Sequence, residues 1–323
     1  MLQAILRVPI LALTAVLLVP GRKLLEALGW MPGLLALIGR YGPRRGSWLR
    51  LWQGYVPTRR DVIVCSYLKS GTNWTLQIAQ QIAWRGRAEF AHIHDVVPWP
   101  DQIIDGYSIP LSDTRQADAS PTGLRVIKTH AAWQDIPYSP EAKYVLVVRD
   151  PKDAFVSSHH FIKGALLGPL MPSVASWYEF FLSRSFLAGF WPEHAHGYWS
   201  ARHLDNTVYL TFKEMKEDLP AAVRKIAALL EVDLTPAEFD RVCERSSFRY
   251  MQRVDEKFAP GALAPWSSGV ALVRRGQQGG AGEMLSLEAQ RRMDRVFRDA
   301  LVEMGSDFDY DAACGAPRPP KRG

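Results

Sequence analysis

Cationic and hydroxyl side chains follow the first β-like run of the chain, where they can bind an anion. The run DVIVCSY is rich in β-branched residues and precedes a Gly-containing turn with five candidate ligands: Lys69, Ser70, Gly71, Thr72 and Asn73. Gly71 lets a ligand approach the backbone, and the N–H groups that open the next helix point toward a negative charge. The sequence therefore predicts a phosphate or sulfate site at this turn.

Two later apolar runs end in residues that can move a proton and hold charge. GLRVIKTH ends in Lys128 and His130, and AKYVLVVRD contains Arg149 at its end. An imidazole with a pKa near 6.5 accepts a proton at neutral pH, and lysines stabilise negative charge that builds up on oxygen. With the basic loop 274–276, these groups favour a ligand that carries several phosphates or sulfates.

These groups must be positioned by a sheet whose strands end together. Strand-like runs alternate with helical patterns from residue 61 onward, and a further strand is predicted at TVYLTF (207–212). Such alternation predicts an α/β fold, a single domain with a central, mainly parallel sheet flanked by helices. Ligands bind such sheets at the carboxyl ends of the strands, where the polar residues fall. The long connection 87–123 is expected to carry part of the site or a lid.

Composition and charge exclude several classes of protein. The chain has 323 residues, 47% hydrophobic and 22% charged, so it can bury a core and is neither disordered nor collagenous. Residues 1–60 carry nine Lys or Arg and one Glu, whereas the rest of the chain carries 30 basic and 32 acidic residues. Because the net charge of +6 comes from the N-terminus, no nucleic-acid partner is expected.

Residues 1–50 form an apolar and basic segment that suits a membrane surface. Val8–Pro20 is uncharged but shorter than the roughly 20 residues of a membrane-spanning helix. A second apolar stretch, Leu24–Ile38, lies among cations, as expected of a helix in an anionic membrane interface. The alternative is a pair of helices packed on the domain itself. On either interpretation the catalytic part is cytoplasmic, because cations follow the apolar segment.

Histidine pairs raise the question of a metal site. Three such pairs occur: His92 and His94, His159 and His160, and His194 and His196. None has cysteine or carboxylate partners at a usual ligand spacing, and the three cysteines are far apart. We therefore expect neither a metal site nor a disulfide framework.

Beyond these arguments, the chain resembles the cytosolic-type sulfotransferases, which use 3′-phosphoadenosine 5′-phosphosulfate. SYLKSGTNW is similar to their phosphosulfate loop Y-P-K-S-G-T-x-W, and VIKTH to the strand that bears their catalytic histidine. YVLVVRDPKDAFVSSHHF, RSSFRYM and VRRGQQGG are similar to blocks that surround the nucleotide. The resemblance implies a P-loop-like phosphosulfate-binding loop within a sulfotransferase domain over 56–312. Residues 313–323 are expected to form a flexible tail.

The resemblance also assigns a role to each candidate residue. His130 would be the general base for in-line transfer, and Lys69 and Lys128 would stabilise charge on the sulfuryl oxygens. The implied nucleotide ligands are Lys69, Ser70, Gly71, Thr72, Asn73, Trp74, Arg149, Ser157, Ser247, Phe248, Met251, Arg274, Arg275 and Gly276. The partner would be a small molecule with a hydroxyl group, and no metal is implied.

The acceptor is predicted from aromatic residues in the two regions where the family places its acceptor pocket. They are Phe90, Trp99, Tyr107, Phe161, Trp177, Tyr178, Phe180, Phe181 and Trp191. Such a wall favours a lipophilic alcohol over a polyanionic sugar, which would need a basic groove. The alternative is that these aromatic residues belong to the core.

Some positions depart from the family pattern, and two rival functions must be compared. Leu68 replaces a loop proline, and Phe212 replaces a tyrosine that contacts the adenine. The Lys and Glu of the family dimer motif fall on Gly282 and Arg291, so the oligomeric state is left open. A P-loop kinase or nucleotidase would need the string G-x-x-x-x-G-K-[ST], which does not occur. A nucleotide-binding scaffold without turnover would not need His130.

Overall fold

A parallel sheet lies at the centre of the part of the chain that the computed structural model describes, which is residues 14–41, 52, 54–102, 106–260, 263–266, 271–273 and 280–315. Its strands are β1 (Asp61–Ser66), β2 (Arg125–Thr129), β3 (Lys143–Val148) and β4 (Thr207–Thr211). The strand order is β2-β1-β3-β4, and each neighbouring pair is parallel. The predicted α/β fold with a central parallel sheet is confirmed.

Helices flank this sheet. Those in the described residues are α1 (Val19–Ala27), α2 (Met31–Tyr41), α3 (Thr72–Ala83), α4 (Arg115–Ala119), α5 (Pro151–Ile162), α6 (Val174–Phe181), α7 (Trp191–Ala201), α8 (Phe212–Glu217), α9 (Leu219–Leu229), α10 (Pro236–Arg245), α11 (Phe248–Arg253), α12 (Leu287–Glu303) and α13 (Tyr310–Cys314). Helix α5 begins where the sequence suggests, because the Asp150 side chain accepts a hydrogen bond from the Lys152 N–H and Pro151 fills the first turn.

Each face of the sheet is covered by its own hydrophobic cluster. Alternate residues of β1 point to opposite sides, so Ile63 and Cys65 join one cluster and Val62 and Val64 join the other. Every residue of β1 and β3 is buried, as the continuous apolar runs predict. The central strands are thereby fixed, and with them the polar residues that follow their carboxyl ends.

The N-terminal helices pack on the domain. Met31 and Leu35 are buried in the same cluster as the aromatic residues of α6 and α7. Glu26 accepts hydrogen bonds from the Ser173 N–H at 2.6 Å and from the Ser176 hydroxyl at 2.6 Å, at the start of α6. Among the described residues, no helix is both long enough and apolar enough to cross a membrane. Residues 1–13 and 42–50 of the predicted segment lie outside the described part.

The C-terminal helix α13 is held by a buried ion cluster. The Lys152 ammonium donates to Asp294 at 2.5 Å, and the Tyr310 hydroxyl donates to the same carboxylate oxygen at 2.8 Å. Cys314 at the end of α13 is also buried. Packed structure therefore continues past residue 312, where the sequence placed the start of the tail, and residues 316–323 lie outside the described part.

Candidate active site

The turn after β1 has the backbone shape of an anion-binding loop. Lys69 and Gly71 both have positive φ angles, 63° and 97°, and Gly71 directly precedes α3. A left-handed lysine is unusual and stores strain, which persists where the surroundings hold it. The Thr72 hydroxyl lies 2.6 Å from that of Ser66, so β1 is linked to the first turn of α3. This turn directs the first N–H groups of α3 outward from the sheet edge.

Arg149 fixes the loop from the next strand. Its guanidinium donates to the Lys69 carbonyl at 2.8 Å and lies 4.0 Å from the Asp153 carboxylate. It also lies 4.5 Å from the centre of the Phe212 ring. A Cβ atom on Gly71 would come within 2.6 Å of that ring, so only glycine fits there. The phenylalanine that replaces the family's tyrosine therefore packs against both the loop and its cation.

His130 is held in one tautomer at the end of β2. Its backbone N–H donates to the Asp101 carboxylate at 2.7 Å, and its Nδ1 lies 2.9 Å from the Ser66 carbonyl. A carbonyl oxygen only accepts, so Nδ1 carries the proton and Nε2 keeps its lone pair. Burial and the charge of Lys128 lower the pKa of His130 to about 3. The imidazole is therefore neutral in the free protein, with Nε2 as its basic atom.

Lys128 lies in an aromatic and imidazole setting. Its ammonium is 3.4 Å from His94 Nε2 and 3.4 Å from the centre of the Trp99 ring. His94 Nδ1 is 3.3 Å from the Val97 carbonyl, which leaves Nε2 as the acceptor for Lys128. Burial lowers the pKa of Lys128, and the charge of Asp101 opposes that shift. Lys128 is thus a buried cation that no carboxylate contacts within salt-bridge distance among the described residues.

Lys69 lies near Lys128 and His130 at the end of β2 and near Arg149 after β3. Part of its side chain is exposed, but burial of the ammonium and the charge of Arg149 lower its pKa to about 7. The ammonium lies 4.4 Å from the centre of the Phe161 ring. Lys69 is close enough to Lys128 and His130 to lower the pKa of each. The structure therefore gathers the three predicted catalytic residues at one edge of the sheet.

The predicted nucleotide ligands lie on several elements around this edge. Trp74 on α3 donates from Nε1 to the Ser246 carbonyl at 2.7 Å, which joins α3 to the start of α11. The Ser247 hydroxyl caps α11 by accepting from the Tyr250 N–H. The remaining members differ in burial: Asn73 and Ser157 are half-buried, Met251 is buried and Phe248 is exposed. Arg274, Arg275 and Gly276 lie outside the described residues.

Two buried hydroxyl groups test whether this edge fits an anionic nucleotide. Ser70 and Ser246 have side-chain oxygens with no hydrogen-bond partner among the described residues, and both residues have no exposed surface. Buried polar groups are normally hydrogen-bonded, so these two hydroxyls retain hydrogen-bonding capacity that a ligand can use. Together with the cations and the Gly71 turn, they fit a phosphorylated donor.

Three contact residues were not assigned to catalysis from the sequence. Asp101 holds the His130 backbone, Ser66 sets its tautomer, and His94 contacts Lys128. Asp101 lies in the long connection before β2, and nothing in its sequence context distinguishes it from the other acidic residues there. The sequence indicates His94 only as a candidate metal ligand. Within the described chain, no group of three or more His, Cys, Asp or Glu side chains is arranged to hold a metal ion.

The aromatic residues predicted to form the acceptor wall divide into two groups and one further residue, Phe90. Trp99, Tyr107 and Phe161 lie around the site, where Trp99 contacts Lys128 and Phe161 contacts Lys69. The others from α6 and α7 are buried in the core behind it: Trp177, Tyr178, Phe180, Phe181 and Trp191. Phe90 packs on Phe258 in the cluster on the other face. The alternative of a simple core role therefore holds for the second group and for Phe90.

Comparison with known proteins decides the family. A family model described as the sulfotransferase domain matches residues 59–305. The chain belongs to this family. It is an enzyme that transfers sulfuryl groups, as the resemblance implied. Sulfotransferase 2A1 of Rattus norvegicus is 28% identical over 255 residues, which are 77% of this chain and 87% of that protein.

Solved sulfotransferase-like structures share the fold. A retinol dehydratase in complex with retinol and PAP superimposes with a TM-score of 0.64 and 20% identity, over 82% of this chain and 88% of that chain. Mouse sulfotransferase SULT7A1 complexed with PAP gives a TM-score of 0.58 and 22% identity, over 80% and 92% of the two chains. This sulfotransferase therefore has the architecture of its family.

Proposed function

We propose that this sulfotransferase moves a sulfuryl group from 3′-phosphoadenosine 5′-phosphosulfate to a hydroxyl of a lipophilic small molecule, with His130 as general base. The observation that carries the proposal is the fixed tautomer of His130. Its Nδ1 is bound to the Ser66 carbonyl, so the basic Nε2 stands at the strand end shared with Lys69 and Lys128.

The donor is inferred from two regions of positive charge. Lys69 and the helix start beyond Gly71 suit a 5′-phosphosulfate, and Arg149 with Ser157 suits a 3′-phosphate. The ligands proposed at the far side are Trp74, Ser247, Phe248 and Met251, with Arg274, Arg275 and Gly276 from outside the described residues. Retinol dehydratase and mouse SULT7A1 were solved with PAP, adenosine 3′,5′-bisphosphate, which supports this choice.

The residues divide the chemistry between them. When bound, the donor supplies the sulfuryl group. His130 Nε2 takes the proton of the acceptor hydroxyl, because that hydroxyl has a pKa far above 7 and is a poor nucleophile until it loses the proton. Lys69 and Lys128 stabilise the negative charge that develops on the bridging and equatorial oxygens. In-line transfer then depends on positioning, which the loop and the two strand ends provide.

The lipophilic acceptor is inferred from the surroundings of the two lysines. Trp99, Tyr107 and Phe161 present ring surfaces at this edge, and the cations there are suited to the donor. An apolar alcohol can stack on such rings, whereas a polyanionic sugar would need a separate basic groove. Retinol, the ligand of the retinol dehydratase structure, is a lipophilic alcohol of this kind. We place the enzyme in the cytoplasm, where peripheral membrane contact would give it access to such alcohols.

A transfer assay with donor labelled in its sulfuryl group tests this proposal. The full-length protein should label phenols and lipophilic alcohols, and not hydrophilic carbohydrates. PAP should raise the melting temperature much more than ADP does, because ADP lacks the 3′-phosphate. Equal stabilisation by ADP would contradict the donor, and transfer to carbohydrates alone would contradict the acceptor. Binding of PAP without any transfer would favour a nucleotide-binding scaffold.

A further inference from the structure

Helix α2 carries exposed apolar residues beside its two buried ones. Met31 and Leu35 point into the core and are 4% and 8% exposed. Leu37 and Ile38 of the same helix are 53% and 56% exposed. With Leu34 they follow the i, i+3, i+4 spacing of a single helix face. Apolar residues at this spacing on a helix normally lie against another surface, so the exposure of these three needs an explanation.

Exposed apolar residues also occur on the neighbouring helix and in the turn between the two helices. Leu24 of α1 and Leu28, which caps that helix, are exposed, and Trp30 between the two helices is 64% exposed. We call this surface the N-terminal apolar face: Leu24, Leu28, Trp30, Leu34, Leu37 and Ile38. Large apolar residues gathered in this way mark a contact surface more often than an ordinary solvent-facing surface.

The helix pair is held in a fixed position on the domain. Glu26 binds Ser173 and Ser176 at the start of α6. The backbone of α2 also approaches the domain closely, because a Cβ on Gly39 would lie only 1.8 Å from the Ser185 carbonyl oxygen. The two helices that carry the N-terminal apolar face are therefore packed against the domain, which fixes the position of this face.

Cations accompany this face. Lys23 lies next to Leu24, Arg40 lies two residues beyond Ile38, and both are exposed. Apolar side chains together with Lys and Arg are the combination that binds the interface of an anionic bilayer, and tryptophan is favoured at that depth. We propose that the N-terminal apolar face docks on the surface of an anionic lipid bilayer.

A second copy of the chain is the main competing occupant. A two-fold symmetric contact through this face would bring equivalent patches together, with Lys23 and Arg40 of both copies in one interface. Neither cation has an ion pair to an acidic side chain among the described residues, so their charges would repel there. An anionic lipid surface satisfies the same cations, and it is the occupant that the charge pattern favours.

The docked face is connected to the active site through the end of α5 and the segment that follows it. Phe161 lies against Lys69, and the turn Gly168–Leu170 that follows packs on α1. Leu166 between them is 41% exposed. Docking would thus bring this side of the site close to the bilayer, from which lipophilic alcohols can enter. This last step rests on the proposed function, whereas docking itself does not.

Vesicle binding tests the docking surface. Full-length protein is sedimented with phosphatidylcholine vesicles, with and without phosphatidylserine, at low and high salt. The test variant is Leu37→Ser/Ile38→Ser, and the matched control is Val56→Ser/Val302→Ser, which also removes two exposed aliphatic side chains. Point substitutions are used because Met31 and Leu35 belong to the core, so deletion of residues 1–50 would expose it.

The expected result is binding to the phosphatidylserine vesicles that weakens with salt. The test variant should bind roughly tenfold more weakly, and the control should bind like the unmodified protein. Unchanged melting temperatures would show that both variants are folded. Recovery of the full-length protein in the supernatant with both vesicles would overturn the proposal. So would equal binding by the test variant, or a dimer that the test variant converts to a monomer in sedimentation velocity.

An activity measurement separates docking from the proposed function. The test variant should transfer sulfate to a soluble phenol as the unmodified protein does, but more slowly to an alcohol dissolved in the vesicles. If vesicles bind as expected and neither acceptor is sulfated, docking holds and the proposed function fails. If the vesicle alcohol is sulfated equally by both proteins, the link between docking and acceptor entry is wrong.

Discussion

The Asp101 carboxylate accepts a hydrogen bond of 2.7 Å from the backbone N–H of His130. Asp101 belongs to the connection before β2, and the nearby Pro98 carbonyl accepts from the Lys128 N–H at 2.9 Å. The connection therefore pairs with the outer edge of β2 at the two residues that carry the chemistry. Burial raises the pKa of Asp101, and the hydrogen bond from His130 opposes that shift.

Asp101→Asn separates the hydrogen bond from the charge. The amide oxygen can still accept from the His130 N–H, but the charge that raises the pKa of Lys128 is lost. Lys128 then loses its proton at lower pH, so the fall of kcat on the alkaline side should move to lower pH. Asp101→Ala also loses the bond, and kcat should drop by about tenfold at every pH. If the Asn variant has the pH profile of the unmodified enzyme, the charge of Asp101 does not influence the pKa of Lys128.

His130→Ala should remove most of the turnover and leave donor binding nearly intact. Base catalysis contributes about 10²–10⁴-fold, and the nucleotide contacts proposed above do not include this imidazole. Steady-state rates give the loss, and the rise in melting temperature with PAP reports binding. The matched control is His203→Ala, since His203 is exposed at the protein surface. Turnover near that of the control would assign the base to another residue.

Affinity for PAP should fall as the pH rises through about 7. Lys69 has its pKa lowered to about 7 by burial and Arg149, so its ammonium is charged below that value and neutral above it. A bound anion raises that pKa, so at higher pH the protein must take up a proton on binding. The loss approaches about tenfold per pH unit for each proton taken up. Calorimetry in buffers of different ionisation enthalpy measures this uptake, and Lys69→Gln should reduce it. Affinity independent of pH would contradict the role of Lys69.

Ser70→Ala should weaken PAP binding without destabilising the free protein. The buried Ser70 hydroxyl has no partner among the described residues, and such a group costs about 1–3 kcal/mol. Ser158→Ala is the contrast, because its buried hydroxyl donates to the Phe155 carbonyl at 2.8 Å. That variant should lose about 1 kcal/mol of unfolding free energy and keep its response to PAP. Thermal melts with and without PAP distinguish the two, and equal losses in the free proteins would contradict a role of Ser70 in ligand binding.

The fold was predictable from the sequence because three of its four strands, β1, β2 and β3, are buried on both faces. Runs such as those of β1 and β3 have few alternatives to a parallel sheet once helical patterns alternate with them. The loop around Gly71 and the ends of β2 and β3 followed from the same reasoning, since parallel strands bring their carboxyl ends to one edge.

The supporting residues could not be predicted in the same way. Asp101 and His94 come from a connection without periodic pattern, so no spacing places them near Lys128. Whether the aromatic residues of α6 and α7 line the acceptor pocket or belong to the core could not be predicted for a related reason. Large apolar side chains are favoured both in a protein core and in the wall of an apolar pocket. The sequence around Trp177 or Phe181 therefore does not show which of these surroundings the side chain has.

The hydrogen bond from Arg149 to the Lys69 carbonyl joins residues 80 positions apart. Strand β1, which precedes the loop, pairs with β2 and β3, so the loop lacks these long-range contacts while the first part of the chain leaves the ribosome. Pairings between distant segments close long stretches of chain and form slowly during folding. A nascent chain that stops before β3 has the sequence of the anion-binding loop but lacks the arginine that binds its backbone.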